Sequence, residues 1–203
     1  MPRPSHEHEQ EAIRRGLRVS TASAAWTLLS GGSSIAAGVL SGSLVLVAFG
    51  AVGLMDALGS FSLIVHFRHA LRQQNLSERK EIWALRLVRF GMAAVGAGTL
   101  GDSAFRLSSH STANSSPFGV MLAGVSLLVL ILLASAKLRI APRVPSRALR
   151  ADGWLSGIGA LLAGVTLIGS GLQATLGWWW LDATAAAVVG ATALGLSFAA
   201  GRG

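Results

Sequence analysis

Residues 44–65 read LVLVAFGAVGLMDALGSFSLIV, a run with a single charged side chain, Asp56. A helix of about 20 predominantly apolar residues crosses the hydrocarbon core of a bilayer. The stretch meets that length and decides for a membrane helix. It also poses a problem, because a carboxylate at the bilayer centre costs about 2.5–3.5 kcal/mol even on the lenient insertion scale.

Outward from it, five more segments have the length and composition of spans: 20–40, 84–106, 118–136, 154–175 and 182–200. The expectation is an all-α integral membrane protein, a six-helix transmembrane bundle over residues 20–200. Ser41-Gly42-Ser43 is all that separates the first two spans, which predicts a tight helical hairpin. The third segment is rich in glycine and contains Asp102. Composition agrees with the membrane class. Charged residues are 13% of the chain, against about 25% in a soluble domain. The absence of cysteine excludes disulfides, thiolate zinc sites and cysteine nucleophiles.

The polar start, MPRPSHEHEQEAIRRGLRVS, is unlike a secretory signal, which places its apolar core sooner. Residues 1–19 are expected to be an uncleaved cytoplasmic tail. The net charge of +8 does not form one patch, so no nucleic-acid partner is expected. Instead the basic residues alternate with the spans. Arg3, Arg14, Arg15 and Arg18 precede span one. Arg68, Arg72, Arg79, Lys80, Arg86 and Arg89 lie between spans two and three. Lys137, Arg139, Arg143, Arg147 and Arg150 lie between spans four and five. By the positive-inside rule both termini are cytoplasmic, and only Arg106 borders the far side. Trp178, Trp179 and Trp180 then fall at the outer interface, where indole rings anchor a bundle. Asp182 is placed to cap the N-terminus of span six. Gly38-x-x-x-Gly42 and Gly153-x-x-x-Gly157 are small-residue pairs that let helices approach closely.

Of nine acidic residues, Asp56 is the one in mid-span. Such residues face a cavity or a partner and mark an ion or proton path. The other reading is a neutral carboxylic acid bonded to Ser60 or a backbone carbonyl. Helical spacing puts Val52, Asp56 and Ser60 on one face. A second acid one turn away would make half of a tetrahedral metal site, but one acid is present.

With these residues in view, the chain resembles the cation diffusion facilitator family, the zinc, cobalt and cadmium efflux transporters. AGVLSGSLVLVAFG (37–50) resembles its end of span one and start of span two. SRALRADGWLSGIGALLAGVTLIG (146–169) resembles its entry to span five, and GWWWLDATAAAVVGA (177–191) its entry to span six. The similarity is to short bacterial members made of the membrane domain alone. It implies a multi-pass protein of the bacterial plasma membrane, without a C-terminal soluble domain, that works as a homodimer. It implies exchange of a divalent cation such as zinc for protons by alternating access. The family's site uses two acids four apart on span two and a His and an Asp four apart on span five. Registered on Arg68, Asp56 takes the second acidic position and Val52 the first. Registered on Ala151-Asp152, Leu155 stands where the His would be and Gly159 where the Asp would be. One ligand of four is kept.

Other candidates have two readings each. His6 and His8 among the glutamates of SHEHEQ either collect metal or are solvated. His66 and His69 either relay protons toward Asp56 or sit at the headgroups. Asp152 either joins an ion path or caps span five and pairs with Arg150 or Arg147. Asp102 either serves an ion path or is solvated near the outer end. No nucleophile–base pair supports an enzyme, and no cofactor is expected. The expectation is a proton-coupled divalent cation transporter with a reduced metal site. The alternative is a non-transporting membrane protein or hetero-oligomer subunit on the same fold.

Overall fold

A computed structural model describes residues 6–71, 78–111, 113–114, 116–143 and 147–199. These form six α-helices, with no strand among the described residues: α1 (His6–Ser41), α2 (Leu44–Leu71), α3 (Glu78–Ser109), α4 (Pro117–Ile140), α5 (Arg147–Leu176) and α6 (Leu181–Ala199). A short 3-10 turn, Ala141–Arg143, follows α4.

Local chemistry sets the ends of these helices. Gly42 adopts a positive φ of 69°. Its N–H donates to Val39 O and that of Ser43 to Gly38 O, which closes α1 as a Schellman motif. The connection to α2 is therefore two residues long. Gly177, at φ 66°, ends α5 in the same left-handed conformation. His110 does so for α3, with Ser111 N–H bonded to Arg106 O at 3.2 Å. α4 starts on a Ser116 cap, whose hydroxyl accepts from Gly119 N–H at 3.1 Å, with Pro117 at the first helical position.

The helices run beyond the expected spans at the opposite end. α1 begins at His6, so the boundary expected at residue 19 falls inside a continuous helix. Glu, Gln, Ala, Arg and Leu over 9–18 are good helix formers, and Glu11 pairs with Arg15 one turn on.

Among the described residues, four helical stretches are long and apolar enough to cross a membrane: Leu44–Ser62, Pro117–Ile140, Asp152–Leu176 and Leu181–Ala199. The protein thus has the makings of an integral membrane protein. α1 and α3 fall short for identifiable reasons. The inward face of α1 carries hydroxyls in place of aliphatics, and α3 carries Arg86, Arg89, Asp102 and Arg106.

The bundle is assembled from three helix pairs. α1 lies on α2, α3 on α6 and α4 on α5. Small residues make the first two close. A β-carbon on Gly50 would stand 2.5 Å from Gly31 O, and one on Gly96 would stand 2.7 Å from Gly190 O. The motif glycines act unequally: Gly38 and Gly153 face close neighbours, while Gly42 and Gly157 face open space. Val45, Ala48, Phe49 and Val52 of α2 meet Ala160 and Ala163 of α5 and Ala186, Val189 and Ala193 of α6 in the core. Large apolar side chains point outward on every helix, among them Leu29, Phe61, Phe105, Leu132, Leu161 and Phe198. That polarity, apolar outside with hydroxyls and charges inside, suits a lipid surrounding.

Candidate functional site

A cavity of about 30 Å³ lies where all six helices converge. It has room for about two water molecules. Thr27 and Ser30 reach it from α1, Val52 and Asp56 from α2, and Leu155 and Gly159 from α5; α3, α4 and α6 close it with Met92, Leu130 and Leu196. The four positions registered on the family's ligand set, Val52, Asp56, Leu155 and Gly159, therefore do come together. Their chemistry does not make a metal centre, because three of them offer no side-chain ligand. Among the described residues no three His, Cys, Asp or Glu side chains cluster as metal ligands would.

Asp56 is half-buried and faces this chamber. It has no hydrogen bond or contact ion pair among the described residues. The charges acting on it are those of Lys137 and Asp152. Ser60, expected beside it, is engaged elsewhere: its hydroxyl donates to Asp152 Oδ1 at 3.0 Å.

One turn of α2 away, toward Leu71, lies a buried polar cluster that sequence reasoning missed. Lys137 is wholly buried. Its Nζ donates to Ser23 Oγ of α1 and Ser156 Oγ of α5, both at 2.8 Å. It also stands 2.7 Å from Asp152 Oδ2, a close charge contact more than an aligned hydrogen bond. Asp152 therefore pairs with Lys137, where the expectation was a cap of span five or a pair with Arg150 or Arg147; the side chain of Arg147 lies outside the described residues. Counted with Arg139 and Arg143, Lys137 looked like one more loop charge. The helical spacing of Ser20, Ser23, Thr27, Ser30 and Ser34 was the available signal. At steps of three and four they form one hydroxyl face along α1, and all five are buried.

The turn end of the bundle holds Asp182 and Asp102. Asp182 was expected to cap its own helix. Its carboxylate instead crosses to α2, accepting from the Ser43 hydroxyl and from Leu44 N–H, the latter at 2.6 Å. Tertiary packing brings the free N–H groups of α2 within its reach, so it caps a neighbour. Asp102 is paired with Arg106 at 3.1 Å and lies outside the cavity lining. Arg106 reaches on to Gly42 O at 2.5 Å, which pins the hairpin turn to α3. Trp178 and Trp180 stack at 5.5 Å, and Trp179 meets His110 at 4.3 Å. The side chains of His6, His8, His66 and His69 lie outside the described residues.

In comparisons with known proteins, no family model matches the chain, and no curated protein matches it either.

Proposed function

We propose that the protein is a six-span membrane transporter that passes a cation through the Asp56 chamber, with Asp56 holding the cation and a proton in turn. One observation carries this reading. The mid-span carboxylate of Asp56 has no hydrogen bond or contact ion pair among the described residues and faces a cavity reached by all six helices. An intramembrane carboxylate left in that state marks an ion path. The outward apolar faces of α1 and α3, with Leu29, Leu40, Phe90 and Phe105 exposed, support lipid on all six helices. The distribution of Lys and Arg supports cytoplasmic termini. The resemblance supports proton exchange, a dimer, and zinc, cobalt, cadmium and manganese as the first ions to try.

The test is cation flux into proteoliposomes under an imposed pH gradient, wild type beside Asp56→Asn. Asp56-dependent flux supports the transporter. Absence of flux of any cation from folded protein overturns it. A second reading, a membrane scaffold or hetero-oligomer subunit, is favoured by the apolar side chains of Val52 and Leu155 and the bare Gly159 at the cavity. That null result would support it.

A further inference from the structure

The cation-transport reading leaves open which cation the chamber takes, and the buried charges bear on that choice. Three ionisable side chains act on one another here: Asp56 in the chamber and the Lys137–Asp152 pair beside it. With all three ionised they sum to one negative charge. A monovalent cation at Asp56 brings the set to neutrality. A divalent cation leaves an uncompensated positive charge in a dry bundle, next to an ammonium that cannot move into water. Lys137 is held by Ser23, Ser156 and Asp152 and has no exposed surface.

The available ligand atoms agree. Zinc takes four N, S or O ligands, and the chamber offers one carboxylate. Two hydroxyl-bearing residues, Thr27 and Ser30, line the cavity with it. Thr27 Oγ1 donates to Ser23 O and Ala24 O, so its lone pairs remain for a ligand. Ser30 is buried, lines the cavity and has no hydrogen-bond partner among the described residues. The volume of about 30 Å³ fits one small ion with a water.

We propose that the Asp56 chamber binds one small monovalent cation of the sodium type, through the Asp56 carboxylate and the Ser30 and Thr27 hydroxyls, and that Lys137 sets this valence by cancelling Asp152. The inference rests on the transporter reading and deepens it.

The test uses the full chain in lipid nanodiscs, titrated separately with sodium, lithium, potassium, zinc, cadmium and manganese. Binding is read by calorimetry and by the shift in melting temperature. Wild type is expected to bind sodium saturably, at least tenfold more weakly in Asp56→Asn and in Ser30→Ala, with no Asp56-dependent divalent binding. Lys137→Met leaves two carboxylates, Asp56 and Asp152, beside one chamber. It is expected to gain divalent binding by at least tenfold and to be stabilised by that ion through mass action. Lys137→Met with Asp152→Asn removes the pair without changing net charge and is expected to keep sodium and gain no divalent ion. Asp56-dependent zinc or cadmium binding by wild type, with sodium inert, overturns the valence assignment and leaves the transporter standing. A proton flux in the proteoliposome assay, with no binding of sodium, lithium or potassium in nanodiscs, overturns it as well. Binding of no cation by any folded variant, with no proton flux, overturns the transporter reading itself. Should Lys137→Met fail to fold, the wild-type, Asp56→Asn and Ser30→Ala titrations still decide between the two valences.

Discussion

Two aspartates in α2 and α6 sit in opposite conditions. Asp182, at the turn end, accepts from a hydroxyl and a backbone N–H of another helix. Asp56, in the middle of the bundle, accepts from nothing among the described residues and borders a cavity. A buried acid with its lone pairs engaged fixes an arrangement. One left without partners costs stability and persists where it has a ligand to meet. The turn end is thus built to hold still. Asp182, Arg106 and the left-handed Gly42 lock α1, α2, α3 and α6 around one hairpin. The chamber is walled by side chains that do not bond across it. Between these extremes stands the Lys137–Asp152 pair, buried and in close contact yet made of charges.

Substitutions can break this contrast, and the pair should respond most. Lys137→Met strands the Asp152 charge in the interior. A loss of about 3–5 kcal/mol is expected by denaturant unfolding, with most of it restored when Asp152→Asn is added. Asp182→Ala leaves the Ser43 hydroxyl and Leu44 N–H without their acceptor, and about 1–3 kcal/mol should be lost. Asp182→Asn keeps an acceptor oxygen and should lose less. Gly50→Ala tests whether the α1–α2 contact is as close as it looks. Its methyl would meet the Gly31 carbonyl, and an overpacking cost of about 1–3 kcal/mol is expected in thermal unfolding. Asp56→Asn should have the smallest effect on stability, neutral or slightly stabilising, while flux falls to the level of empty liposomes. If Asp56→Asn destabilised as much as Asp182→Ala, the carboxylate would be structural and the contrast would fail.

Much of the helical frame was legible in the residues. Apolar length put forward six spans, four of which coincide with helices apolar enough to cross a membrane; Gly42 located the hairpin, and one carboxylate in an apolar run pointed to the chamber. The positions paired with it, Val52, Leu155 and Gly159, also converge there. What stayed hidden depends on contacts between helices. Lys137 reads as a loop charge because two arginines follow it within six residues, and only α1 and α5 reveal that it points inward. Asp182 reads as a local cap because capping residues usually serve their own helix, and its true partner lies 138 positions earlier. Ser60 reads as a companion of Asp56 from helical spacing alone, yet its hydroxyl donates its hydrogen bond to Asp152 on α5.

The pairing of α3 with α6 has a consequence for how the chain is made. α3, which falls short of a membrane span on apolarity, is completed some seventy residues before its partner begins at Leu181. At about 5–20 residues per second, synthesis leaves α3 waiting for several seconds. Its glycine face at Gly96 has no counterpart until Gly190 arrives. α6 is therefore the helix that completes this bundle of six, and nascent chains stalled before residue 181 should hold α3 in a state open to quality control.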